Sequence, residues 1–165
     1  MSALEVRNLS KAYGGVQAVR DVSFSVQPGE LVAMIGPNGA GKTTCFNMLN
    51  GQLAPDSGEI RLGEASIAGL PPHRVWRLGV GRTFQITATF GSMSVRENVQ
   101  VTLLSHHRRL HSVFSLGTDA FVEEANSLLE RVGMASQADR PCGVLAYGDL
   151  KRVELAMALA NAPQL

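Results

Sequence analysis

A chain of 165 residues, 45% hydrophobic and 18% charged with a net charge of +1, has a globular composition; it is not that of a disordered segment and gives no reason to expect a nucleic-acid surface. Its longest apolar runs, such as Leu31–Ile35 and Leu155–Ala160, are far shorter than the roughly 20 residues a helix needs to cross a bilayer. Glu5 and Arg7 interrupt the opening MSALEVRNLS where an export signal is apolar, and Cys45 and Cys142 have no metal-ligand spacing, so a cytoplasmic protein with reduced, partly buried thiols is expected.

In chain order, the N-terminal stretch to Gln27 reads as short strands. Leu4, Val6 and Leu9 are spaced as on a half-buried strand, and Val22, Phe24 and Val26 alternate with serines. Pro28-Gly29 marks a turn. Leu31–Ile35 is a continuous apolar run of strand length, the pattern of a parallel strand covered on both faces. A helix is expected from about Gly41 to Asn50, stopped by Gly51. Another strand is expected at Ser57–Leu62, after the Pro55-Asp56 turn. Pro71-Pro72 opens a short helix through Trp76 and Leu78, and Gly81–Phe84 reads as extended. Ser94-Val95-Arg96-Glu97 matches a capping box that starts a helix near Val95. Phe121, Ala125, Leu128, Leu129 and Val132 form one apolar helical face, with Glu123 and Glu124 at its positive end and Gly133 as its stop. The last helix is expected from Asp149 to Asn161, ended by Pro163. The basic cluster of His106, His107, Arg108, Arg109 and His111 reads as a solvated loop, because adjacent histidines cannot serve as helical i, i+4 ligands.

The chemistry is concentrated in Gly36-Pro37-Asn38-Gly39-Ala40-Gly41-Lys42-Thr43, followed by Thr44. It satisfies G-x-x-x-x-G-K-[ST] at every fixed position, between an apolar strand pattern and a helix. Glycines let a backbone wrap an anion with its N–H groups inward, and a helix N-terminus adds partial positive charge. Lys42 is expected to reach the β- and γ-phosphates of a nucleotide, and the Thr43 hydroxyl to ligate Mg²⁺. Strand, loop and helix in this order give an α/β class.

Leu145–Asp149, LAYGD, resembles the LSGGQ signature of ABC ATPases, with Leu145 and Gly148 matching and Ala146, Tyr147 and Asp149 departing from it. Phe84-Gln85 lies where that family carries its Q-loop glutamine, and Tyr13 where it carries an adenine-stacking aromatic. GPNGAGKTTCFNMLNG, GRTFQ, Val95–Asn98 and LAYGD together look most like the ATP-binding subunits of branched-chain (hydrophobic) amino acid importers. The fold so implied is a P-loop NTPase core of the ABC ATPase type with an antiparallel β subdomain and an α-helical subdomain. Residues 1–85 would form the core with its β subdomain, 86–148 the helical subdomain and signature, and 149–165 the signature helix returning to the core.

The resemblance also implies roles and partners. Tyr13 would stack on adenine, or else pack as a strand-end aromatic. Gln85 would meet Mg²⁺ or the attacking water, or else be an ordinary polar strand-end residue. Ala146, Tyr147 and Gly148 would contact the γ-phosphate held by the opposite subunit, with Ala146 lacking the usual serine hydroxyl. Catalytic roles fall to Lys42 and Gln85. A second ATPase subunit, integral-membrane permeases and a location on the inner face of the plasma membrane are implied; Trp76 reads as a packing residue, with a permease contact near it or near Thr87–Phe90 as the alternative. Neither nucleic-acid binding nor direct membrane insertion is expected. In the resembled family the Walker B strand begins about where this sequence stops, so a truncated, non-hydrolysing piece with an unpartnered Leu31–Ile35 strand is expected. A non-hydrolysing regulatory or structural nucleotide-binding protein is the alternative. Chromosome ATPases of the superfamily are disfavoured by the short, heptad-free interval between the motifs, and GTPases by the lack of NKxD.

Overall fold

The structure is a computed structural model, and it describes residues 3–83, 89–107 and 121–165. Strand β1 (Leu4–Tyr13) turns at Gly14-Gly15 into β2 (Val16–Val26), and the two pair antiparallel from Leu4↔Val26 to Tyr13↔Val16. The alternating apolar residues of β1 face one side, where Leu4, Val6 and Leu9 are fully buried. Strand β3 (Ser57–Leu62) lines the other edge of β1, from Leu4↔Leu62 to Ser10↔Ser57, and the short β4 (Ala65–Ser66) completes a sheet of order β2-β1-β3-β4. Helix α1 (Lys42–Leu49) packs Cys45, Met48 and Leu49 into the same core as Leu4, Val6, Leu9, Ile60 and Leu62. Helix α2 (Pro72–Arg77) adds Val75.

Leu31–Ile35 departs from expectation. It belongs to no strand, and Leu31 and Ile35 are 97% and 91% exposed. Only Met34 of the run packs against the core. A covered parallel strand needs a strand on each edge and a layer on each face. Among the described residues the sheet is wholly antiparallel and offers this run no pairing partner.

The helical unit follows. Helix α3 (Val95–His106) opens on the expected capping box: the Ser94 hydroxyl accepts from the Glu97 amide at 3.2 Å, and the Ser94 amide donates to the Glu97 carboxylate at 2.7 Å. His106 is the last residue of this helix rather than part of the following loop, and its Nδ1 lies 2.8 Å from the Asn161 side-chain oxygen. Helix α4 (Val122–Arg131) carries Glu123 and Glu124 in its first turn, as expected, and ends before Gly133. Helix α5 (Tyr147–Leu159) starts two residues earlier than its sequence pattern indicates. Val95, Val99 and Leu103 of α3, Ala125, Leu128 and Leu129 of α4, and Val153 and Ala156 of α5 form the second core.

Packing divides the chain into one unit running through Val80 and including Gln164–Leu165, and a second over Gly81–Pro163. The amides of Gln164 and Leu165 both donate to the Gly79 carbonyl, at 2.7 and 3.1 Å, and so tie the last residues to the first unit. Among the described residues no helix is long and apolar enough to cross a membrane. Cys45 and Cys142 are free and buried, and burial pushes both thiols up from their ordinary pKa.

Candidate functional site

The loop before α1 is built around two constraints on its backbone. Gly41 is the N-cap of α1 with φ of 79°, and a Cβ placed there would lie 2.2 Å from the Ala18 carbonyl oxygen of β2. Gly39 also has a positive φ, 86°, but open space around it. The Ala40 amide donates to the Pro37 carbonyl at 3.2 Å, so it closes a turn inside the loop. The first helical hydrogen bond runs from the Cys45 amide to the Gly41 carbonyl at 2.8 Å. The amides of Lys42, Thr43 and Thr44 therefore stand at the open, positive end of the helix. No side-chain cap and no acidic residue in the first turn neutralises that end.

Lys42 completes the arrangement. Its ammonium donates to the carbonyls of Gly36 and Pro37, both at 2.6 Å, and so folds back over the start of the loop. Pro37, Asn38, Ala40 and Thr43 are exposed, and Lys42 and Thr44 are half-buried. A cation, a helix end and its free amides gathered on one loop suit a polyanion, and the donor set fits a nucleotide's phosphates. For Mg²⁺ the described residues offer the exposed Thr43 hydroxyl and no cluster of three acidic, His or Cys ligands. That fits a cation held largely by phosphate and water.

Tyr13 stands at the end of β1, 49% exposed. Ala18 of β2 backs Gly41, so this strand of the hairpin lies against the start of α1. Gln85 falls outside the described residues, as do Phe84 and Thr87.

Ala146–Gly148 lies in the second unit. Ala146 is the N-cap of α5, and its carbonyl accepts from the Asp149 and Leu150 amides at 3.0 Å. Having no hydroxyl, it supplies no side-chain cap. Tyr147 is 65% exposed with the Lys151 ammonium 5.3 Å from its ring centre. Gly148 is exposed, and a Cβ there would meet nothing within 4 Å.

Two residues escaped sequence reasoning. Asp56 reads only as a turn residue, yet its carboxylate takes the Lys11 ammonium at 2.6 Å and the Ala12 amide at 2.8 Å. These bonds, Lys11 first, hold its pKa below the usual carboxylate value. Asn98 is fully buried, and its side chain exchanges hydrogen bonds with the Phe90 backbone in both directions and donates to the Ser94 carbonyl. Beside it, the Cys142 amide donates to Met93 and the Gly143 amide to Gly91, zipping residues 91–93 to the turn that precedes LAYGD. Nothing local in the sequence signals either role, since the partners are distant along the chain.

The Gly36–Thr43 loop with its glycine hinge, opening α1 and carrying the G-x-x-x-x-G-K-[ST] pattern, marks a P-loop nucleotide-binding protein. The family model described as ABC transporter matches residues 19–165, and the chain belongs to that family. It is 42% identical over 172 residues to the high-affinity branched-chain amino acid transport ATP-binding protein BraF of Pseudomonas aeruginosa, covering 98% of this chain and 66% of the relative. To LivG of Escherichia coli K12, of the same description, it is 40% identical with the same coverage. The crystal structure of the ADP conformation of MJ1267, an ATP-binding cassette of an ABC transporter, superposes with a TM-score of 0.85 at 31% identity, covering 99% of this chain and 66% of that one. The chain thus spans 66% of the length of these relatives.

Proposed function

We propose that the chain is the ATP-binding, energy-coupling part of an ABC importer for branched-chain amino acids. One observation carries the nucleotide-binding reading: Lys42 and the uncapped start of α1 converge on the Gly36–Thr43 loop with no acidic group in that first turn. The likeness to BraF and LivG, both named for high-affinity branched-chain amino acid transport, supports the solute class.

In this reading the loop residues Gly36–Thr44 cradle the triphosphate. Lys42 exchanges its two carbonyl partners for phosphate oxygens, and Thr43 with Gln85 holds Mg²⁺. Tyr13 stacks on the base. Ala146, Tyr147 and Gly148 meet the γ-phosphate on a second ATPase subunit, identical or paralogous, so that two such subunits sandwich the nucleotides. Bound ATP supplies the phosphoanhydride whose hydrolysis drives transport, and the chain's residues orient it and offset its charge. The subunit would work peripherally, on the inner face of the plasma membrane, against integral-membrane permeases. Residues 1–85 would form the nucleotide-binding core, 86–148 the helical subdomain with the signature, and 149–165 the returning helix.

Titration of the full chain with Mg-ATP tests the reading. Saturable binding that weakens at least about tenfold in Lys42→Ala is expected, from the loss of a charged phosphate partner. Equal affinity of the two proteins overturns it. For the solute, cells carrying Lys42→Ala in the gene should lose uptake of labelled leucine; unchanged uptake removes the amino-acid assignment.

A further inference from the structure

β1 is a full member of the sheet only part of the way along. Its pairing with β3 runs as far as Ser10↔Ser57, where β3 begins. Beyond Ser10 the strand continues to Tyr13 against β2 alone, and that ladder is irregular between Leu9 and Lys11 and again between Lys11 and Ala12. Irregular pairing of this kind bends a strand and re-aims its side chains. The edge that β3 has vacated is taken over by a single residue, Asp56. Its amide donates to the Ser10 carbonyl at 3.0 Å, its carboxylate accepts the Ala12 amide at 2.8 Å, and the other carboxylate oxygen takes the Lys11 ammonium at 2.6 Å. Three successive residues are stitched, ending at the one before Tyr13.

The Tyr13 side chain makes no hydrogen bond or ring contact among the described residues, and the residue is followed by two glycines in positive-φ conformations. The direction of its ring is therefore set by the backbone that leads into it. We propose that Asp56 is a positioning residue for Tyr13: by clamping Lys11 and Ala12 it fixes the height and direction at which the ring meets a nucleotide base. The proposal rests on the reading of Tyr13 as the base-stacking residue. It separates two parts of the ligand, since the clamp governs the base and leaves the Gly36–Thr43 cradle to hold the phosphates.

The test compares Mg-ATP with inorganic tripolyphosphate, which has the phosphates and no base, in titrations of the full chain. Tyr13→Ala and Asp56→Ala should each weaken Mg-ATP by roughly tenfold, the scale of a lost aromatic–base stack, and leave tripolyphosphate within about twofold. The double variant should lose no more than either single one, because both act through the same ring. Lys11→Met, which removes one arm of the clamp and spares the Ala12 bond, should give a smaller loss in the same direction. Equal weakening of both ligands by Asp56→Ala and Lys11→Met would mean a purely structural role and overturn the proposal. So would additive losses in the double variant, or an Asp56→Ala protein that binds Mg-ATP normally while Tyr13→Ala does not. If Tyr13→Ala itself binds Mg-ATP normally, the base-stacking reading fails, and the proposal fails with it.

Discussion

Gly41 is restricted to glycine by two independent constraints, its left-handed backbone and the Ala18 carbonyl pressed against it. Gly39 meets only the first of these, because the space around it is open. Alanine in a left-handed conformation costs about 1–2 kcal/mol, and a clash with fixed backbone adds to that. Urea unfolding should therefore show Gly39→Ala losing about 1 kcal/mol and Gly41→Ala at least twice as much, about 2 kcal/mol or more. Equal losses would show that the Ala18 contact yields freely. Charge at the residue scale is legible in Asp56 and Glu97. The Lys11 ammonium lowers the first carboxyl, and the Ser94 amide and hydroxyl lower the second. Folded pKa values below the unfolded ones mean that the unfolded chain binds more protons. The stabilisation is then full above the ordinary carboxylate range and is lost as pH falls through the depressed values. Melting temperature should fall on acidification below about pH 4, and less steeply in Asp56→Asn; a parallel fall in the variant would remove Asp56 from the account.

At the scale of elements, α3 and α5 begin in contrasting ways. Ser94 caps α3 in both directions with Glu97, whereas Ala146 opens α5 with no side-chain bond. A serine cap is worth about 1 kcal/mol over alanine. Ser94→Ala should destabilise the helical unit by about that amount and Ala146→Ser should stabilise it by a similar one, read from thermal or denaturant unfolding. A neutral Ala146→Ser would show that the start of α5 does not bring its N–H groups within reach of a cap. The Asn98 side chain acts across elements. Buried, with the Phe90 amide and the Phe90 and Ser94 carbonyls as partners, it gives residues 90–94 a fixed path where no regular secondary structure could supply one.

Among the described residues, the largely exposed apolar run Leu31–Ile35 directly before the candidate site stands out at the scale of the molecule. An apolar stretch with open backbone groups is a template for pairing with another chain. The 165-residue chain should self-associate with rising concentration, and Leu31→Lys with Ile35→Lys should reduce this without lowering the melting temperature. Sedimentation and differential scanning measurements decide it: association unchanged by both lysines would place the sticky surface elsewhere. The run also marks where local pattern and structure part. Its unbroken hydrophobicity describes a strand buried on both sides, but burial depends on neighbours that a five-residue window does not contain.

The sequence by itself determined the local devices. The glycine-lysine loop, the Ser94–Glu97 cap, the stop at Gly133 and the alternation along β1 and β2 each depend on residues a few positions apart, so their chemistry is written in spacing. Only the tertiary structure decided which groups meet across long stretches of chain: Ala18 behind Gly41, Asp56 on Lys11 and Ala12, Asn98 between Phe90 and the turn at Cys142. Such contacts depend on where strand pairing ends and which buried polar atoms are left to be satisfied, and both follow from the packed fold and not from any short pattern of residues.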